Sequence, residues 1–140
     1  MKRLVFLASL VLLISCADQK VNKEDLHHLN GYWEIQKVEF PNGQIKEYKA
    51  NTVVDYIQID GEKGMRKKVQ PKLDGTFIIT EDEESFDLIA KNEGYSFHYN
   101  NGLSERQEKL TTLDSLSFST QNEEGIRYFY IRFEPISIQF

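Results

Sequence analysis

The sequence predicts an all-β domain, an antiparallel up-and-down β-barrel of eight or nine strands. Three observations lead there. Short runs of β-branched and aromatic residues recur from Tyr32 onward; Gly, Asn, Asp and Pro clusters of the kind that make tight hairpins separate most of them; and no stretch keeps a helical period for three turns. Consecutive hairpins around one core make a meander, and a meander of about eight strands can close on itself and so remove its edges. The 140 residues suit one domain, and the 40% hydrophobic and 12% aromatic content is too high for a chain that cannot bury apolar surface.

The N-terminus is of a different kind. Met1-Lys2-Arg3 precedes an apolar run from Leu4 to Ile14 that only Ser9 interrupts. Such a run is shorter than the ~20 residues a membrane-spanning helix needs, so residues 1–15 read as an export signal. Leu13-Ile14-Ser15-Cys16 resembles the lipobox of bacterial lipoproteins, and the resemblance implies that Cys16 becomes the acylated first residue of the mature chain. Two or three acyl chains, again implied by the resemblance, hold far better than one. Cys16 is the sole cysteine, so no internal disulfide can form. Removing residues 1–15 takes Lys2 and Arg3 away and makes the net charge of −5 more negative by two. Residues 16–25 are polar and read as a lipidated tether, leaving 26–140 for the barrel. The expected location is the cell envelope, lipid-anchored at the outer membrane of a Gram-negative bacterium.

The strands read, in order, as 32–40, 52–60, 64–70, 76–80, 85–91, 95–100, 104–112, 115–121 and 126–133. Pro41-Asn42-Gly43, Asp74-Gly75, Asn100-Asn101-Gly102 and Glu123-Glu124-Gly125 supply turn chemistry, since glycine accepts the positive φ of tight hairpins. Glu81-Asp82-Glu83-Glu84 reads as a solvated turn between two of these strands. Alternation puts Trp33 with Ile35, and Tyr95 with Phe97 and Tyr99, each set on one face. In the last strand Tyr128, Tyr130 and Arg132 form one row and Phe129, Ile131 and Phe133 the other; periodicity does not choose between them. In Arg66-Lys67-Lys68, Arg66 and Lys68 share a face, and an inward cation there calls for a carboxylate such as Asp55 or Glu39.

Leu29-Asn30-Gly31-Tyr32-Trp33-Glu34-Ile35 places a Gly-x-Trp motif at the opening of the first strand. Together with Gly64-Met65-Arg66-Lys67-Lys68-Val69, Asp74-Gly75-Thr76-Phe77 and a terminal Tyr130-Ile131-Arg132, it makes the chain resemble the lipocalin-like lipoproteins of Bacteroidetes. The resemblance spans nearly all of the mature chain. It implies that Gly31 admits the chain to the barrel floor and that Trp33 fills that floor beneath Arg132, a contact worth about 0.5–2 kcal/mol. The Thr-Asp-Tyr motif of the larger lipocalins is missing.

The implied function is a binding module: the open end takes a small apolar or amphipathic ligand, with Phe77, Phe97, Tyr99 and Tyr130 as cavity residues. The alternative is a structural or protein-interaction lipoprotein with a filled barrel and no small ligand, marked by an apolar surface patch. No nucleophile elbow or phosphate loop supports catalysis, so no catalytic residue is assigned. The adjacent His27-His28 and the lone His98 do not assemble a zinc set, the acidic run lacks a calcium loop's glycine, and no metal or cofactor is expected. An acidic chain argues against nucleic acid.

Overall fold

The computed structural model describes residues 20–92 and 94–135; the predicted export signal, Cys16 and the start of the predicted tether lie outside the described residues. A short 3-10 helix, Lys23–Leu29, precedes nine strands: β1 Gly31–Glu39, β2 Ile45–Glu47, β3 Val54–Asp60, β4 Lys63–Pro71, β5 Phe77–Lys91, β6 Gly94–Asn100, β7 Glu105–Leu113, β8 Ser117–Asn122 and β9 Arg127–Arg132. From β3 to β9 each strand pairs antiparallel with the next, β1 pairs with β3, and β1 also pairs with β9. That last ladder, from Trp33↔Arg132 to Glu39↔Arg127, closes an eight-stranded barrel. β2 is an extra strand on the upper part of β1.

The meander and its closure match the sequence reading, while two elements differ from it. β2 is short and exposed on all three residues, so no alternation announces it. The acidic run is not a turn: β5 passes through it as one 15-residue strand. Here Lys67 faces Glu83 and Arg66 faces Glu84 across the β4–β5 ladder, so two of the four acidic residues stand opposite cations while all four stay exposed. Between these pairs and Val69↔Ile79 β5 carries surplus residues and bulges, and Thr80 Oγ1 donates to the Lys68 carbonyl at 2.6 Å.

The folded part also begins before residue 26. Val21 is buried in the core, and the helix starts at Lys23 with the Asn22 N–H donating to the Asp25 carboxylate at 3.1 Å. The tether reading missed this because one buried valine and a 3-10 helix of seven residues leave no periodic pattern. Leu26 and Leu29 face inward and seal one end of the barrel.

Above this plug the interior is filled. Trp33, Ile57, Leu88, Phe97, Leu110 and Phe118 are fully buried, with Phe118 edge-on to Trp33 at 4.7 Å and stacked on Tyr130 at 4.5 Å. Each such side chain contributes about 1.5–3 kcal/mol by burial. Gly64 is required where it stands, because a Cβ there would run into the Phe86 ring and approach the Gln58 carbonyl to 2.8 Å. In β9 the inward row is Tyr130 with Arg132, which resolves the ambiguity left by periodicity.

Candidate functional site: the barrel mouth

Successive turns of a meander lie at alternate ends, so the β4–β5, β6–β7 and β8–β9 turns surround the end opposite the helix. There the inward rows change character. In β3 the row runs from Ile57 to Asp55, in β4 from Gly64 to Arg66 and Lys68, in β5 from Phe86 to Glu84, and in β7 from Leu110 to Glu108 and Arg106, all linked by ladder pairing. The apolar floor thus gives way to a charged cup of about 500 Å³. Its lining carries six carboxylates (Asp55, Glu81, Asp82, Glu83, Glu84, Glu108), four cations (Arg66, Lys67, Lys68, Arg106) and the rings of Tyr128 and Tyr130.

Asp55 anchors the cup. Arg66 Nη2 donates to its Oδ2 at 2.8 Å, Lys68 Nζ pairs with its Oδ1, and Arg66 Nη1 donates to the Tyr99 hydroxyl at 3.2 Å. Burial pushes the Asp55 carboxyl up, but Arg66 and Lys68 more than offset it and hold the group below the usual carboxylate range. Arg66 is desolvated too, yet Tyr130, Tyr99 and Asp55 raise its basicity well above the ordinary value. Burial lifts the Tyr130 phenol to about 12, so it stays a neutral hydroxyl. Arg106 is committed elsewhere, to Glu84 at 2.7 Å and Glu108 at 3.4 Å, with its guanidinium 4.0 Å from the Tyr99 ring centroid. Glu108 Oε2 is buried without a hydrogen-bond partner, 4.0 Å from Arg66 Nη1.

At the floor, the Arg132 guanidinium lies 3.8 Å from the Trp33 ring centroid. It donates to the carbonyls of Asn30 at 2.6 Å, His28 at 2.7 Å and Ser115 at 3.1 Å, while Trp33 Nε1 donates to the Leu29 carbonyl at 2.8 Å. Gly31 has φ +122°, and a Cβ on it would stand 2.5 Å from Arg132 Nη1. This constellation holds the plug in place.

The four aromatic residues read as cavity lining do not share one place. Tyr130 lines the cup, and Tyr99 sits beside it in a second recess of about 330 Å³ next to Arg106. Phe97 is wholly buried in the packed half, against Phe86 at 5.0 Å, and reaches no cavity. Phe77 is outside the barrel, stacked on Tyr32 at 4.2 Å and near Phe133, on the outward face opposite Trp33 and Arg132. The reason for both corrections is that alternation assigns a face of a strand but not a height along the barrel. Sequence reasoning missed Glu108 and Arg106; their alternation with Leu110 in β7 was the available signal. His27 and His28 lie in the helix with rings 4.1 Å apart, and among the described residues no group of three or more metal-ligating side chains forms.

A closed antiparallel meander with one plugged end and one polar open end is a binding scaffold of the calyx type. A lipocalin-like domain family model matches residues 29–130, and the chain belongs to that family. Among solved structures it is similar to a lipocalin-like protein from Bacteroides uniformis, at 13% identity and TM-score 0.48 over 76% of this chain and 99% of that one. An uncharacterized protein from Bacteroides eggerthii gives 12% and 0.48 over 75% and 99%, and apocrustacyanin C1 gives 12% and 0.49 over 83% and 67%. No curated protein matches the chain.

Proposed function

We propose that this chain is a lipid-anchored envelope protein that holds a small amphipathic molecule in the mouth of its barrel. The observation that carries this reading is the cup itself: a space of about 500 Å³ with charged groups at fixed positions and two tyrosine rings as apolar wall. A filled barrel acting only as an interaction lipoprotein would not need that opening. The packed lower half directs the ligand to the mouth, where polar and apolar surface meet.

Native mass spectrometry of the protein released from detergent is expected to show a retained small molecule that dissociates on unfolding. Repeated preparations without one, together with no rise in melting temperature across a panel of small amphiphiles, overturn the reading. Anchoring rests on the signal at residues 1–15 and on Cys16. A Cys16→Ala variant is expected to move from the membrane to the soluble fraction; retention after a salt wash overturns the anchor.

A further inference from the structure

We propose that the short tether behind the lipid anchor seats the barrel with its plugged end against the bilayer and its mouth facing away from it; this deepens the proposed function and rests on it. The observation that carries the inference is where folding begins. Val21 is buried, 4% exposed, in one cluster with Leu26 and Leu29 of the plug. It shares a recess with Lys91, Gly94 and Tyr95 at the β5–β6 turn, so the chain enters the barrel at the plugged end. Cys16, the residue proposed to carry the lipid, stands five peptide steps before Val21. Fully extended, those steps reach about 18 Å.

The barrel is too tall for that reach to serve its other end. β7 runs from the mouth at Glu105 to the plugged end at Leu113, and nine residues at the usual rise and tilt of a barrel strand cover about 20 Å along the axis before the β6–β7 turn is added. A chain held at Val21 by the plug therefore cannot bring the mouth down onto the bilayer that holds Cys16.

Exposed leucines do not choose an end by themselves. Leu116 is 69% exposed in the β7–β8 turn at the plugged end, and Leu103 is 96% exposed in the β6–β7 turn at the mouth. The tether makes the choice, so Leu116 meets the headgroups and Leu103 meets water. The wall beside the entry point gives the barrel little to lie on. Asp87, His98 and Gln107 form one outward rung across β5, β6 and β7, and Ile89, Ser96 and Lys109 form the next. Such a surface keeps its hydration when the barrel stands upright. The consequence for binding is directional: the cup opens into the aqueous phase, and an amphipathic molecule embedded in the anchoring bilayer must leave that bilayer before it can enter.

The test uses the full-length acylated protein in liposomes whose headgroups carry an energy-transfer acceptor. Cys16 is the sole cysteine and takes no thiol label once acylated, so Leu116→Cys and Leu103→Cys each accept a single donor dye. Transfer is expected to be about twofold or more stronger from position 116 than from position 103, because a strand length separates them. Inserting a flexible Gly-Ser segment of about ten residues between Asp18 and Gln19 is expected to remove most of that difference. Equal transfer from the two positions, or stronger transfer from 103, overturns the orientation and leaves the anchor standing. A difference that the insertion does not diminish overturns the short tether as its cause. No transfer from either position means that the protein is off the bilayer, which overturns the anchor and the orientation with it; fractionation of Cys16→Ala reads the anchor on its own.

Discussion

Replacing Arg132 with alanine is expected to destabilise the domain by about 3 kcal/mol or more, a large share of the roughly 5–15 kcal/mol by which such a domain is stable. The guanidinium does two things at once. Its face covers the Trp33 indole, and its edge donates to the carbonyls of His28, Asn30 and Ser115, tying the helix and the β7–β8 turn to the end of β9. Alanine leaves those carbonyls without their charged donor and opens the floor over the largest buried side chain. Lysine keeps the charge but not the fork, so Arg132→Lys is expected to recover less than half of the loss. Urea denaturation reads both variants. Gly31→Ala is expected to act on the same unit, because its Cβ would displace Arg132 Nη1, and the two substitutions together are expected to cost less than their sum. An unchanged denaturation midpoint for Arg132→Ala would mean that the helix is held by Val21, Leu26 and Leu29 alone.

The sequence showed the barrel more clearly than its contents, and the difference has a physical origin. Strand identity and hairpin order depend on local chemistry, which is why Tyr95, Phe97 and Tyr99 and the Asn100-Asn101-Gly102 turn could be read directly. The partner of Arg66 was also within reach, because an inward cation demands a carboxylate and Asp55 was one of two candidates. What could not be read was stagger. Strand tilt and the β5 bulge set the height at which each inward residue stands, so Phe97 falls in the packed half and Tyr130 at the cup although both are inward aromatics. Charge misled at Glu81 to Glu84 for a related reason: a solvated run that looks like a turn by itself becomes part of a strand once Arg66 and Lys67 are placed across from Glu84 and Glu83. The role of Glu108 follows only from what surrounds it, since its carboxylate is held between the guanidiniums of Arg66 and Arg106.

Arg66→Met is expected to destabilise the domain by about 3–5 kcal/mol, the usual result of removing one partner of a buried ion pair. Asp55 is 3% and Arg66 10% exposed at the side chain, so the carboxylate that remains would depend on Lys68, whose side chain is half in solvent. If the loss comes from the stranded charge and not from packing, Asp55→Leu combined with Arg66→Met should recover much of it; a double variant as unstable as Arg66→Met alone would assign the loss to packing around Tyr99 and Tyr130. Acid titration gives an independent reading of the same pair. Because the folded protein holds the Asp55 carboxyl below its ordinary value, the unfolded chain binds the proton more readily, and stability rises with pH wherever the two states differ in protonation. The stabilisation is therefore complete above the unfolded value of about 3.9 and is lost as the pH falls through the folded one. Urea midpoints measured below about pH 4 should fall more steeply for the wild type than for Asp55→Asn, which has no carboxylate to protonate at that position. Parallel acid limbs would mean that the buried pair contributes little, and that the cup is shaped instead by the exposed contacts of Arg106 and Glu84.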